Sequence, residues 1–379
     1  MSKKNCDINA CRRKTSIGGQ ALIEGIMMRG PKKSAMAVRD PNGEIVLEKW
    51  EHKVNTNALF KIPVIRGVFN FAASIASGYK CLMRSAEIAI PEDEEPKKKD
   101  KKNAELELAD EEATETVAKE GAEEVTEEVT EEVTEEVTEQ AKEDKKGKKE
   151  KNGENSALMA VIMVVATVLG VAIAIGLFFM LPSFIFDWCA RVMPFLRPDD
   201  LALSSLIKSV FEGVLKIAIL VGYVSLVSLM KDIKRTFMYH GAEHKTIFCY
   251  ENGLELTVEN VRAQRRFHPR CGTSLLILML IVGIFISFLI DPLFVLITGA
   301  VPHVAVRAVI KLLLVPLMMG IGYELIKLAG RHQNVFTRII SAPGLWLQRI
   351  TVREPDDDMI ECAIKAFVEV IPEDDSDKI

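Results

Sequence analysis

The stretch ALMAVIMVVATVLGVAIAIGLFFML, residues 157–181, decides the fold class of this protein. It contains no charged residue and is longer than the roughly 20 apolar residues that a helix needs to cross a bilayer. Three further stretches have the same character, although their ends admit Glu212, Lys216, Lys311, Glu324 and Lys327: residues 210–230, 275–290 and 308–329. The sequence therefore predicts a mainly α-helical polytopic membrane protein with about four transmembrane helices in a region spanning residues 156–330.

Charged and hydrophobic residues are concentrated in different parts of the chain. Of the 379 residues, 49% are hydrophobic and 27% are charged, and the mean hydropathy is positive at +0.15. Residues 91–155 hold much of the charge in a low-complexity tract with too few apolar groups to form a core, which predicts a disordered charged linker. The net charge of −5 averages over these unlike parts and points to no particular partner.

Basic residues predict the orientation of the spans. The segment between the second and third spans, residues 231–272, carries eight of them: Lys231, Lys234, Arg235, Lys245, Arg262, Arg265, Arg266 and Arg270. The segment between the first two spans, residues 182–204, carries only Arg191 and Arg197. Because cytoplasmic loops are enriched in Lys and Arg, we expect both termini and residues 231–272 to be cytoplasmic. This topology explains the basic loop without nucleic acid, and no aromatic and basic interleaving typical of nucleic-acid binding is present.

The N-terminal part, residues 1–90, is predicted to form a cytoplasmic or interfacial unit. Asp40-Pro-Asn-Gly43 has the residues that a type I turn prefers, and strand-like segments flank it, which predicts a β-hairpin. The pattern of residues 62–90 predicts an amphipathic helix. Its polar stripe leaves open whether it lies on the membrane, packs against membrane helices or simply packs on the hairpin.

The C-terminal part, residues 331–379, is predicted to be interfacial and helical. Residues 331–346 are expected to run along the membrane interface. Asp358 and Glu361 resemble a capping box, and the helix that they open has one apolar face that needs a partner surface. We expect a small cytoplasmic α+β portion built from the N-terminal hairpin, the central loop 231–272 and this C-terminal helix.

The motif that most clearly indicates a metal-binding or catalytic site is His240-Gly-Ala-Glu243-His244. On a helix, residues four apart lie one turn apart on one face, so both imidazoles can reach one zinc ion. Glu243 is then placed to act as a general base, as in the H-x-x-E-H pattern of some metallopeptidases. A second set of ligand types follows in His268-Pro-Arg-Cys271.

Three interpretations of these residues remain open at this stage. In the first, His240, His244 and Glu324 hold a catalytic zinc with an open position, because catalytic sites usually have three protein ligands. In the second, His240, His244, His268 and Cys271 close a structural site. In the third, no metal binds and Glu324 pairs with Lys327 or with an arginine of the loop.

Two classes of function follow from these interpretations. The first is a zinc-dependent hydrolase that acts at the cytoplasmic membrane interface on a peptide or a lipid-linked substrate. The second is a non-catalytic accessory factor in membrane-protein insertion, translocation or quality control. Its partners would be other membrane proteins or the protein-translocation machinery, in addition to membrane lipids. A transporter is less favoured, because only one carboxylate within the spans is obvious.

Five segments carry a resemblance to a known family: GGQALIEGIMMRGP (18–31), FMYHGAEHKTI (237–247), LTVENVR (256–262), HPRCGTS (268–274) and APGLWLQRITVREP (342–355). Together they resemble the YqhQ-like family of bacterial membrane proteins, which carries the label of a predicted metal-dependent enzyme. The resemblance covers almost the whole chain except residues 91–155. It implies a bacterial cytoplasmic membrane location, and it supports the topology more than the mechanism.

Overall fold

A computed structural model describes residues 14–51, 62–90, 153–300, 303–331 and 334–378. The predicted linker, residues 91–155, lies outside the described residues except for its last three, which belong to a helix. The chain divides into two compact units, residues 1–91 with 182–379 and residues 92–181. Helices predominate among the described residues, and a small antiparallel sheet lies near the N-terminus.

The sheet has the order β1-β2-β3-β4, formed by Gly18–Leu22, Gly25–Arg29, Lys33–Arg39 and Ile45–Glu51. The hairpin around Asp40-Pro-Asn-Gly43 is confirmed as β3 and β4, closed by a 3.0 Å hydrogen bond from the Gly43 amide to the Asp40 carbonyl. β1 and β2 extend it beyond the predicted hairpin. Their two-residue turn is Ile23-Glu24, in which Glu24 takes a φ of 48°. This turn lacks the Asn-Gly or Asp-Gly signature that makes such turns recognisable.

Eleven α-helices are present among the described residues, and we number them in chain order. They are α1 (Ile65–Ala89), α2 (Gly153–Ile175), α3 (Leu181–Val192), α4 (Leu201–Val227), α5 (Lys231–Glu251), α6 (Val258–Arg262), α7 (Gly272–Thr298), α8 (Val304–Leu313), α9 (Val315–Arg331), α10 (Val335–Thr351) and α11 (Asp357–Val368). A π-helical turn, Gly176–Met180, joins α2 to α3.

Three helical segments are long and apolar enough to cross a membrane: Val165–Val192, Leu203–Val227 and Gly272–Thr298. A fourth candidate is the bent pair Ala305–Leu313 and Val315–Ala329, whose halves meet at 45°. Pro316 lies in the first turn of α9, where it lacks an amide donor and crowds the preceding turn, which explains the break. The protein is therefore a membrane protein with three spans, or four if the bent pair is one span.

The segment between α4 and α7 folds onto the sheet. α5 and α11 pack against each other and against the strands, with Ile26, Tyr239, Ile360 and Phe367 among the fully buried side chains of a shared core. Burying each such side chain stabilises the fold by about 1.5–3 kcal/mol. The N-terminal sheet, the central segment and the C-terminal helix thus share one hydrophobic core.

Helix α1 has two different neighbours. Its N-terminal half packs along α9, where Gly67 lies against Tyr323, and its C-terminal half packs against β3. Of the alternatives left open by the sequence, packing against a membrane helix and packing on the hairpin are both realised, each by one half of the helix.

Candidate metal centre

Helix α5 brings the two histidines of the H-x-x-E-H motif together on one face. The imidazole ring centroids of His240 and His244 are 4.4 Å apart, and both rings are buried. Gly241 between them is required by packing, because a Cβ at this position would collide with the backbone carbonyl of Arg353. The chain that follows α10 can therefore run directly against α5 at the motif.

Both rings are held through Nδ1 by backbone carbonyls. His240 Nδ1 lies 3.0 Å from the carbonyl oxygen of Thr351, and His244 Nδ1 lies 2.6 Å from that of Arg266. A carbonyl can only accept a hydrogen bond, so each Nδ1 carries the proton and each Nε2 presents a lone pair. Fixing the tautomer through the distal nitrogen is how proteins orient metal-binding histidines.

Cys271 is the third member of this group. It is the N-cap of α7, and its Sγ lies 3.1 Å from His240 Nε2 and 3.1 Å from Thr273 Oγ1. One ligand atom from each of His240, His244 and Cys271 lies within 4.8 Å of the others. Among the described residues, His244 Nε2 has no hydrogen-bond partner although the residue is only 1% exposed. A buried lone pair of this kind costs free energy unless something else binds it.

The three residues fit a zinc ion. Zinc bonds of about 2.0–2.3 Å at tetrahedral angles place ligand atoms about 3.3–3.6 Å apart. His240 Nε2 and Cys271 Sγ are 3.1 Å apart, and all three ligand atoms lie within 4.8 Å of one another, so small shifts would bring them to zinc-binding distances. Two imidazole nitrogens and a thiolate form a three-ligand donor set, which leaves a fourth position for water or substrate. The orphaned Nε2 of His244 is the observation that favours a bound ion.

The protonation states expected for His244 and Cys271 also favour metal coordination. Burial lowers the pKa of His244 to about 4, which keeps its imidazole neutral. Burial raises the pKa of the Cys271 thiol, but the His244 ring and hydrogen bonds with Thr273 outweigh it and lower the pKa below its ordinary value. A neutral imidazole and a thiolate are the forms that bind metals, and both pKa shifts act toward these forms.

Glu243 lies beside the group and is buried with it. Burial raises its pKa to about 7, although the His240 ring and the backbone of Gly19 act in the opposite direction. Gly19 in β1 must be glycine here, because a Cβ would lie 3.1 Å from the Glu243 carboxyl carbon and 2.7 Å from the Met27 carbonyl oxygen. A carboxyl group with a pKa near neutrality is suited to general-base catalysis.

The predicted ligand His268 lies outside the three-residue group. Its Nε2 is 3.8 Å from Glu251, and its Nδ1 accepts a 3.3 Å hydrogen bond from the Arg270 amide. Its ring centroid is 5.5 Å from that of His244, so it packs behind the site. The carboxylate of Glu251 engages the imidazole of His268, so the structure does not bring His268 together with His240, His244 and Cys271 as the predicted four-ligand site would require.

The predicted ligand Glu324 is also separated from the group. Both of its carboxylate oxygens accept hydrogen bonds from the Arg66 guanidinium, which pairs α1 with α9. The structure therefore does not bring Glu324 together with His240 and His244, and Cys271 is the residue that lies beside them. The arginine that holds Glu324 comes from α1, whereas the sequence pointed to Lys327 or the central loop.

Two residues that support the site, Gln348 and Glu251, were not predicted from the sequence. Gln348 of α10 is fully buried and clamps the segment before Cys271: its Oε1 accepts from the His268 amide at 2.8 Å, and its Nε2 donates to the His268 carbonyl at 2.7 Å. Glu251 accepts from the Thr15 amide at 2.9 Å and from Arg270. Neither residue stands in a ligand-spaced pattern, so no local signal pointed to them.

Comparisons with known proteins agree with the resemblance seen in the sequence. Residues 62–373 match the family described as "Protein of unknown function (DUF1385)". The chain is 30% identical over 362 residues to "Uncharacterized protein YqhQ" of Bacillus subtilis (strain 168), covering 93% of this chain and 92% of that protein. No solved structure gives a significant match.

Proposed function

The chain belongs to the DUF1385 family, and from that premise we propose that it is a zinc-dependent hydrolase of the bacterial cytoplasmic membrane. In this proposal His240, His244 and Cys271 hold the metal and Glu243 is the general base. The observation that carries the proposal is the convergence of two oriented Nε2 lone pairs and a thiol, one lone pair being buried without a partner.

In this proposal, the residues around the metal orient its ligands and accept a proton. When bound, zinc supplies Lewis acidity and lowers the pKa of a coordinated water. Thr351 and Arg266 hold the two imidazoles in the binding tautomer through their carbonyl oxygens. Glu243 accepts the proton of the attacking water at its carboxylate, since its pKa of about 7 lets it both take up and release a proton near neutral pH.

The substrate is proposed to be a peptide or a lipid-linked compound at the cytoplasmic interface. Cys271 is the first residue before the span Gly272–Thr298, so the site lies at the end of a membrane helix. The basic residues of 231–272 support placing this end, together with both termini and the sheet, in the cytoplasm. A substrate that is itself membrane-bound would meet the site without leaving the interface.

The burial of the whole group favours a second candidate. His240, Glu243, His244 and Cys271 are each 8% exposed or less, and such burial suits a metal that stabilises the fold rather than one that meets a substrate. The protein would then be a non-catalytic accessory factor in membrane-protein insertion, translocation or quality control. Its contacts would be membrane lipids, other membrane proteins or the translocation machinery.

Metal content and one conservative substitution test the proposal. We expect near-stoichiometric zinc by mass spectrometry in detergent-purified wild type and its loss in His240→Ala/His244→Ala. Glu243→Gln should keep the metal and lower hydrolysis of peptide or lipid-linked substrates about 10²–10⁴-fold. Lys234→Gln, an exposed position of α5, serves as the control for folding of this helix.

The outcomes separate the candidates. Zinc that survives Glu243→Gln together with complementation of a deletion strain by that variant would support the accessory role with a structural metal. Zinc-free wild-type protein from a chelator-free preparation would refute the metal site altogether.

A further inference from the structure

A cavity of about 330 Å³ lies between α1 and the edge of the sheet. On the helix side it is lined by Phe71, Ile75, Tyr79 and Leu82, and on the sheet side by Gln20 of β1. Ligand cavities in proteins measure about 300–1,000 Å³ and are mostly apolar, with a few placed polar groups. By its size and its lining, this cavity suits a single apolar chain.

The inner end of the cavity is anchored in the fold. Gly78 is buried, and a Cβ at this position would lie 2.1 Å from Gln20 Oε1. Because Gly78 has no side chain, Gln20 rests directly against α1 and forms the floor of the cavity. Leu82, one helical turn further on, packs on a core in which Met27 of β2 and Met36 of β3 are buried.

The open side of the cavity is hydrophobic. Ile75 and Tyr79 line it and are still 56% and 52% exposed, and they stand four residues apart on one face of α1. Phe69 and Met83 on the same helix are exposed as well. Contiguous exposed apolar surface marks a site that contacts another molecule or a membrane.

Helix α1 connects this surface to the candidate membrane spans. Gly67 of α1 meets α9 so closely that a Cβ there would lie 3.0 Å from Gly320 Cα and 2.9 Å from Tyr323 Cβ. Such close approach through small residues is typical of helix packing in membranes. The Asn70 amide then donates to the Tyr323 hydroxyl at 3.0 Å, and Phe71, which lines the cavity, follows directly. The surface that carries the cavity is therefore continuous with the fourth candidate span.

The strand β1 separates the cavity from the candidate metal centre. Gln20, the floor of the cavity, directly follows Gly19, where a Cβ would lie 3.1 Å from the Glu243 carboxyl carbon. Successive residues of a strand point to opposite faces, so Gln20 and Glu243 lie on the two sides of β1. β1 is the first strand in the sheet order, and Gly19 is exposed. The two sites are thus neighbours around the edge of the sheet.

We propose that this cavity binds one hydrocarbon chain of a membrane lipid, which enters along α1 from the membrane side. The chain covers the exposed faces of Ile75 and Tyr79, and its end lies against Gln20. For the proposed hydrolase, on which this clause rests, the substrate is then a lipid-linked compound rather than a peptide. A chain held at Gln20 keeps its lipid at the edge of the sheet, beside Gly19 and Glu243.

Photolabelling of the full-length protein in phosphatidylcholine nanodiscs tests this site. The probe is phosphatidylcholine with a diazirine at the end of one acyl chain, and mass spectrometry maps the labelled residues. We expect label on Gln20, measured relative to Leu289, which is 72% exposed on the span Gly272–Thr298. Ser74→Trp places an indole in the cavity from an exposed lining position, and it should lower this ratio about tenfold or more. Each methylene kept out of an apolar site lowers affinity about fourfold. Ala73→Trp, at the exposed neighbouring position, should keep the wild-type ratio.

Two outcomes would refute the lipid site: wild-type protein labelled at Leu289 but not at Gln20, and an equal ratio in wild type and Ser74→Trp. If Ser74→Trp does not fold, Ile75→Asn is compared with Ile75→Leu in the same way, and only Ile75→Asn should lose the label. The labelling needs neither zinc nor hydrolysis. Unlabelled Gln20 in zinc-containing protein would therefore refute this site alone, whereas labelled Gln20 in zinc-free protein would refute the metal centre alone.

Discussion

At the scale of single residues, Gly19 of the sheet lies directly against Glu243 of the candidate metal centre. We expect Gly19→Ala to destabilise the protein by about 1–3 kcal/mol, because the added Cβ would overlap the Met27 carbonyl and press on Glu243. Gly18→Ala is a matched control, since a Cβ there meets nothing within 4 Å. Thermal unfolding of both variants is the measurement, and equal Tm values would contradict the assigned packing.

Glu251 is the residue that ties the N-terminal segment to the loop before Cys271. Glu251→Gln leaves the Arg270 guanidinium without its anionic partner, at a cost of about 3 kcal/mol. Burial raises the pKa of Glu251, but His268 and Arg270 outweigh it and hold the pKa below its ordinary value of 4.5. A lowered pKa contributes stability that is present above the unfolded value and is lost as pH falls through the folded value.

The pH dependence makes this prediction specific. The difference in Tm between wild type and Glu251→Gln should be constant near neutral pH and should shrink as pH falls below about 4.5. Glu255→Gln, an exposed neighbour, should match wild type throughout. A difference that stays constant into the acid range would show that folding does not lower the pKa of Glu251.

The candidate site itself was only partly predictable at this scale. His240, Glu243 and His244 follow from sequence because helical spacing fixes their relation within one turn. Cys271 was one of several ligand candidates, and its place depends on how α7 begins beside α5. Glu324 was chosen as an acid within a span, but Arg66 from a distant helix neutralises it.

At the scale of elements, α10 positions the loop that carries Cys271. Gln348→Leu removes hydrogen bonds to both backbone groups of His268 and to Ser274 Oγ, which lies 3.1 Å from its Nε2. We expect a loss of about 2–3 kcal/mol in unfolding free energy, because the buried backbone groups lose their partners. Zinc affinity should fall about 10–100-fold, as it does when a supporting residue of a metal site is lost.

The exposed neighbour Arg349 supplies the control for this prediction. Arg349→Leu changes the same helix without touching the loop, so its Tm and zinc affinity should stay close to wild type. Competition titration with a fluorescent chelator measures the affinity. Equal zinc affinity in Gln348→Leu and Arg349→Leu would show that the hydrogen bonds of Gln348 do not affect the metal centre.

At the scale of the whole molecule, the distribution of Lys and Arg predicts that both termini are cytoplasmic, and this orientation can be tested. With both termini cytoplasmic, Asp199→Cys in a Cys189→Ala background should react with a membrane-impermeant maleimide in intact cells. Ser376→Cys should react only after permeabilisation, and a C-terminal green fluorescent protein fusion should fluoresce. Labelling of Ser376→Cys in intact cells would reverse the orientation.

The sequence by itself determined the elements whose cause is local. The apolar stretches predict the spans because bilayer thickness sets the length of a helix, and the turn at Asp40–Gly43 predicts its hairpin because its residues fit one backbone geometry. The break before Pro316 is also a local effect, although the prediction treated residues 308–329 as continuous. These features depend on residues close together in the chain.

Only the tertiary structure decided which distant side chains meet. Cys271 joins two histidines from another helix, Arg66 takes Glu324, and Arg307 gathers acids from α4 and α7. Each pairing is between residues far apart in sequence, and helix packing rather than spacing sets its distance. Charge and ligand type show that such groups need partners, but the free energy of packing the whole chain selects which partner each one receives.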